Sequence, residues 1–400
     1  MTPNPEQEPM PDHPSSTEDA APGLGTVLRE WGRIGCIGFG GPPTHIALLR
    51  VLCVEKRKWL AGQEFEDAIA ACNLLPGPAS TQLAIFTAWR VRGRAGALVG
   101  GAAFIVPGLV VILALAALFL AGSPPAWVRG AGAGAGAAVA AVAVHAGVGL
   151  VPAGWRRAAA TSRVRWVLYV VAGGVAAATV GPWLVLVLLG CGAVELTVHR
   201  GGRGSALLAV PAKSLAAGVA GAGAFLSIAW VALKVGALSY GGGFVIIPLM
   251  RTDAVDTYHW MTAGQFLNAV ALGQVTPGPV VQTVAVVGYA AAGLAGGLVA
   301  SLVAFTPSFA FILLGARHFD RLRGNPNVRA FLDGAGPAAV GAILGSAVPL
   351  ALGLSQLWQY LVLAGAALLL LVLRRGVVTT LLTAAVAGTV LALIGVAVPS

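Results

Sequence analysis

The run from residue 96 to 122, GALVGGAAFIVPGLVVILALAALFLAG, contains no charged side chain. In water such a stretch has no polar face to present. In a bilayer, whose hydrocarbon core is about 30 Å thick, a helix of about 20 residues crosses it and satisfies its own backbone N–H and C=O groups. A second dense run, LVLAGAALLLLVL at 361 to 373, and a content of 57% hydrophobic against 10% charged residues extend the conclusion to the whole chain. The expected fold class is an all-α polytopic membrane protein. The 55 glycines suit close helix packing in lipid, where small residues let backbones approach; a GC-rich genome would leave the same mark.

Residues 1–23, rich in proline, acids and serine, have the composition of a disordered acidic tail. With neither a basic start nor an apolar stretch, they do not read as a signal peptide. Cys36, Cys53, Cys72 and Cys191 show no C-x-x-C spacing and no histidine at ligand spacing. They read as buried apolar residues, and no metal or other cofactor is expected.

An internal repeat organises the rest. RIGCIGFGG at 33 to 41 matches KVGALSYGG at 234 to 242, W-L at 59 matches W-M at 260, E-F at 64 matches Q-F at 265, and P-G-P at 76 matches P-G-P at 277. Each pair is separated by the same interval, and a looser match links VRGAGAGAGAAV at 128 to LDGAGPAAVGAI at 332. Two homologous transmembrane halves are expected, 24–204 and 205–400, divided near HRGGRGS at 199 to 205.

FGGPPTH at 39 to 45, followed by W-L, E-F and P-G-P and then duplicated, resembles the two-domain form of the chromate ion transporter (CHR) family from about residue 24 to the C-terminus. The resemblance implies a multi-pass transporter of the bacterial inner (plasma) membrane that exports chromate and confers resistance, with sulfate as a chemically similar oxyanion. The second half departs from the pattern: Gly243 stands where the first has Pro42, and Ile246 where it has His45. Equal roles for the halves do not follow.

Charge discriminates between topologies, because Lys and Arg favour cytoplasmic loops. If each P-G-P segment crossed the membrane, RHFDRLRGNPNVR at 317 to 329 would fall outside and the uncharged loop at 291 to 296 inside. If residues 64–90 and 263–290 instead enter and leave on one side as re-entrant hairpins, each half has about five further crossings and the second half is inverted. Most of the 25 Lys and Arg then share the cytoplasmic side. The tail with Arg29 and the loops near 291–296 and 354–358 fall opposite. A pair of continuous, kinked P-G-P helices is the competing architecture.

The breaks themselves suggest a site. A helix interrupted at mid-membrane presents free N–H groups and the positive end of a dipole at the start of its next segment, which favours an anion, and transporters built from inverted repeats hold substrate at such ends. The candidate binding residues are Asn73, Pro76, Gly77, Pro78, Ser80, Thr81 and Gln82 at the first break, and Gln274, Pro277, Gly278, Pro279, Gln282 and Thr283 at the second. The glycine-rich breaks add Phe39, Gly40, Gly41 and His45, and Tyr240, Gly241 and Gly242. Hydroxyls and amides there can donate to an oxyanion, or simply cap helices and bond between them. Arg33 and Lys234, repeat equivalents within apolar sequence, are candidate anion-binding cations. The alternative for them is snorkelling, or pairing of Arg33 with Glu30.

His45, His145, Glu195 and Asp333 are candidates to carry a coupling proton. No H-E-x-x-H, G-x-S-x-G or G-x-x-x-x-G-K-[ST] pattern occurs, which argues against an enzyme and an ATP-driven pump. A passive anion channel would use the same features. The formal net charge of +10 lies in loops between spans, pointing to lipid headgroups and not to nucleic acid. The expected partners are a chromate- or sulfate-type oxyanion and the bilayer, with a homodimer left open.

Overall fold

The computed structural model describes residues 22–159, 162–179, 184–201, 223–239, 245–315 and 325–399. Nearly all of the N-terminal tail, and Tyr240, Gly241 and Gly242, lie outside the described residues. Among those described, every regular element is helical. The first half contains α1 (Leu24–Ile37), α2 (Pro42–Arg50, continued by a π-helical turn to Lys56), α3 (Gly62–Leu74), α4 (Ala79–Phe119), α5 (Ala126–Ala158), α6 (Arg163–Thr179) and α7 (Leu184–His199). The second repeats this order as α8 (Ala224–Leu238), α9 (Ile246–Arg251, continued to Thr257), α10 (Ala263–Val275), α11 (Thr283–Gly315), α12 (Pro326–Leu352), α13 (Leu357–Ala367, continued to Val372) and α14 (Val377–Leu393).

Neither α4 nor α11 is straight. At Arg92 and Gly93, and again at Ala292 and Gly293, the backbone leaves helical geometry, with φ of 62° and 61° at the two glycines. The chain doubles back there, so that Gly100 lies against Ala88, and Gly296 against Gly288. Each helix is therefore a short arm followed by a long arm. The short arm of α4 pairs antiparallel with α3, and an Arg90–Glu64 ion pair closes the open end of this hairpin while Pro76, Gly77 and Pro78 form its tip. Each arm of the hairpin rises about 20 Å, too little to cross the hydrocarbon core.

The break at residues 38–41 also reverses the chain. The sequence predicts one crossing here, with Arg29 and residue 57 at opposite ends. Instead Glu30 accepts from Arg57, and Trp31 stacks on Trp59 with centroids 6.0 Å apart. The start of α1 thus lies at the basic end. Gly40 and Gly41 adopt φ of 94° and 77°, a region that side chains disfavour, and this produces the reversal. A glycine-rich sequence permits a kink or a reversal alike, so the pattern of residues could not choose.

The two halves are interleaved. The last two helices of each pack on the fifth helix of the other: α13 and α14 on α5, and α6 and α7 on α12. Helix α14 runs antiparallel to α5, with Gly130 beside Gly388 and Gly134 beside Ala384. A Cβ at Gly134 would collide with the Ala384 carbonyl, so backbone contact replaces the hydrophobic drive that lipid removes. At the centre the long arms of α4 and α11 cross antiparallel, Gly101 facing Phe309 and Leu113 facing Gly297. Helices α5 and α12 also run antiparallel, with Gly147 against Leu344 and the Arg157 end near Asp333.

Among the described residues, four helices are long and apolar enough to cross a membrane. The outward faces are apolar; Leu302, Leu352 and Leu357 are 73%, 76% and 81% exposed. Single cysteines at Gly25 and Arg94, in a background lacking the native thiols, should react with an impermeant reagent from one side of the membrane. Cysteines at Gly293 and Ser355 should react from the other. Labelling of 25 together with 293 would contradict the reversal at residues 38–41.

Candidate functional site

Proline at 76 and 78 removes two N–H groups, and Gly77 turns the chain with φ of 116°. The following arm of α4 begins at Ala79 without a side-chain cap. The second break repeats this with Gly278 at φ of 94° and an uncapped start after Pro279. Both new helix starts therefore keep donors that the protein does not occupy with a capping side chain.

Beyond the breaks the repeat interval shortens by one residue, and local geometry absorbs the loss. In the first half Gln82 N–H bonds the Pro78 carbonyl, an α-helical step; in the second, Gln282 N–H bonds Pro279 through the 3₁₀ turn Val280–Gln282. The tighter turn brings Gln282 to the position of Gln82. Each glutamine donates from Nε2 to a backbone carbonyl, Gln82 to Pro76 at 2.7 Å and Gln282 to Ile105 at 2.6 Å, and each keeps a buried Oε1 without a partner.

A chain of hydrogen bonds ties three breaks together. The Gly278 N–H donates to the Gly38 carbonyl at 3.0 Å, joining the second P-G-P tip to the glycine-rich break of the first half. The same carbonyl accepts from His45 Nε2 at 2.9 Å, and His45 Nδ1 lies 3.3 Å from Ser80 Oγ at the first P-G-P break. Because a carbonyl only accepts, Nε2 carries the proton; in the neutral ring Nδ1 is then an acceptor for the Ser80 hydroxyl. His45 is wholly buried, with Phe104 edge-on at 5.0 Å. Pro277 meanwhile packs on Gly108, and Gly77 faces Ser308 and Gly236, so each tip docks on the other half.

Around these tips the protein leaves polar atoms unmet. Thr81 Oγ1, Gln82 Oε1, Ser239 Oγ, Gln274 Nε2, Gln282 Oε1 and Ser308 Oγ are buried without a hydrogen-bond partner. A buried polar atom without a partner costs about 1–3 kcal/mol, so their clustering argues for a polar ligand that completes them. Four of them can donate, and none carries a fixed charge. Such a set suits an oxygen-rich anion held by hydroxyls, amides and helix starts. Among the described residues no group of histidines, cysteines and carboxylates could hold a metal.

The structure places the remaining candidates as follows. Asn73 and Pro76 are exposed on the outer side of the first tip, while Pro277, Gly278 and Pro279 are buried. Thr283 spends its hydroxyl on the Val280 carbonyl at 2.9 Å. Phe39 is 43% exposed. Arg33 lies on the exposed face of α1, and Lys234 is bound to Asp253 at 2.6 Å, so the two cations do not come together at the tips. Of the titratable candidates, Glu195 is clamped by Arg165 at 2.9 and 3.0 Å and by Tyr169 at 2.9 Å, a structural cross-tie of α6 and α7. His145 is half-buried in α5. Ser239 and Ser308 were not legible as site residues; Ser308 directly follows Pro307, as Gly108 follows Pro107, and that repeat relation is the signal that finds it.

A model of the chromate transporter family matches residues 25–196 and 226–393. The chain is 31% identical to the chromate transport protein of Cupriavidus metallidurans over 332 residues, covering 80% of each. It is 30% identical to the chromate transport protein of Pseudomonas aeruginosa over 338 residues, covering 80% of this chain and 79% of the other. A probable chromate transport protein of Synechococcus elongatus is 29% identical over 327 residues, covering 80% and 82%. No solved structure matches.

Replacing His45 by alanine removes both ring contacts and should cost about 2–4 kcal/mol. The loss should appear as an earlier unfolding midpoint when the purified protein in mild detergent is titrated with SDS. Asn73→Ala, on the exposed side of the same break, should change stability by less than about 0.5 kcal/mol. Equal midpoints for His45→Ala and the parent would contradict the tie.

Proposed function

The chain belongs to the chromate transporter family, and on that premise we propose that it exports chromate across the bacterial inner membrane, conferring resistance, with sulfate as a competing oxyanion. The observation that carries this reading is a set of six buried polar atoms without partners on residues at or beside the helix breaks or facing a tip, together with two uncapped helix starts. Chromate is a tetrahedral dianion. The hydroxyls of Thr81, Ser239 and Ser308, the Gln274 amide and the first N–H groups of α4 supply donors from several directions, and the helix dipole adds a favourable field. The free oxygens of Gln82 and Gln282 accept from a water of the ion's shell or from the hydroxyl of its singly protonated form. With no guanidinium in the set, the dianion is held by groups weak enough to release it.

Residues 24–204 and 205–400 act in this proposal as inverted-topology repeats, with the P-G-P hairpins re-entrant from opposite faces. The antiparallel packing of α5 on its counterpart α12, and of the long arm of α4 on that of α11, supports this arrangement. Alternating access fits better than a continuous pore. Two cavities open at opposite ends of α5, and they share no lining residue.

Chromate uptake into everted membrane vesicles tests the reading. The double variant Thr81→Val with Ser308→Ala deletes two donors of about 1 kcal/mol each, so transport at low chromate should fall about tenfold or more at equal membrane levels. Gly77→Leu and Gly278→Leu should abolish it, whereas Arg33→Ala should keep most of it. Parental uptake by the double variant would contradict the site.

A further inference from the structure

We propose that the oxyanion reaches the first break through a recruiting vestibule at the C-terminal end of α5, in which Arg156 and Arg157 gather the anion and the Trp166 indole N–H receives it. The proposal rests on the transport reading above. A cavity of about 530 Å³ lies between α5, α6 and α12 and has the first P-G-P tip, Asn73, Gly77 and Ala79, in its wall. Arg156 and Arg157 line it, both exposed. Trp166 also lines it, is 8% exposed, and its Nε1 is buried without a partner. An indole N–H is a donor only, and a buried one needs an acceptor. Arg163 over Trp155 and Trp155 edge-on to Trp166 hold that ring in place, with centroids 5.3 Å apart for the two indoles.

Charge and access agree. Asp333 also faces the cavity, near Arg157, so one positive charge remains in excess at the vestibule. Low-dielectric walls focus such a field and raise the local concentration of an anion. The polar cavity at the other end of α5, about 420 Å³, contains Arg129, Gln265, Asn268 and Gln359 but no residue of either P-G-P tip. Of these two cavities, only the one at the Arg156 and Arg157 end reaches a break. The exposed outer side of the first tip and the burial of the second fit the same picture.

The test is the chromate dependence of uptake into everted vesicles, whose outer face carries the basic end. The pair Arg156→Gln with Arg157→Gln should raise the half-saturating chromate concentration about fivefold or more and flatten its dependence on ionic strength, with maximal rate within about twofold of the parent. Arg156→Lys with Arg157→Lys should restore the parental value, because the role is charge. Trp166→Phe, which keeps the ring and removes the N–H, should raise half-saturation with the arginines intact. An unchanged half-saturation in the glutamine pair, or failure of the lysine pair to restore it, would overturn the vestibule. Absence of saturable chromate uptake in parental vesicles would overturn the transport reading itself.

Discussion

A helix broken inside hydrocarbon exposes N–H and C=O groups that lipid cannot satisfy, and the fold is arranged around pairing them. The Gly38 carbonyl is the meeting point: freed by the reversal at residues 38–41, it takes the Gly278 N–H from the other half and the His45 imidazole from its own. From this follow the docking of each P-G-P tip on the opposite half and the crossing of the long arms of α4 and α11. The exchange of terminal helices between halves closes the structure around that centre. Close glycine contacts replace hydrophobic collapse as the means of holding the helices together.

Among the described residues, six of the seven buried side-chain polar atoms without a partner belong to residues at or beside the breaks or facing a tip, and Trp166 Nε1 is the seventh. Six unpartnered polar atoms at or beside the breaks would be a defect in a purely structural core. In the proposed binding site for a tetrahedral oxyanion, four of them would act as donors and the two glutamine oxygens as acceptors, all fixed in advance by the same backbone that breaks. The halves contribute unequally: His45 and Ser80 link the first P-G-P break to Gly38, whereas Ile246 stands in place of His45 in the second half and can make no such bond. One tip is exposed on a side and the other buried, so the halves also differ at the breaks themselves.

The helical class, the duplication and the position of both P-G-P breaks were legible because each is written in composition, interval or residue type. The reversal after Ile37 was not, since GFGG tolerates a kink as readily as a hairpin; only the Glu30–Arg57 pair and the Trp31–Trp59 stack reveal it. The polar residues after each break were legible as a cluster, but their division into anchored and free groups required coordinates. Gln82 and Gln282 proved equivalent only once the 3₁₀ turn showed how the missing residue is absorbed. Arg33 and Lys234 drew attention because cations in apolar sequence usually act. Residue type alone does not show that one faces outward and the other meets Asp253, in the continuation of α9.

The most direct test of the central claim is the location of the bound ion. Crystals of the protein grown with chromate, with data collected at a wavelength where chromium scatters anomalously, would show its position without reference to any mutant. A single strong anomalous peak is expected at the P-G-P tips, within hydrogen-bonding distance of Thr81 and Ser308. A peak beside Arg33 or Lys234, with none at the tips, would contradict it.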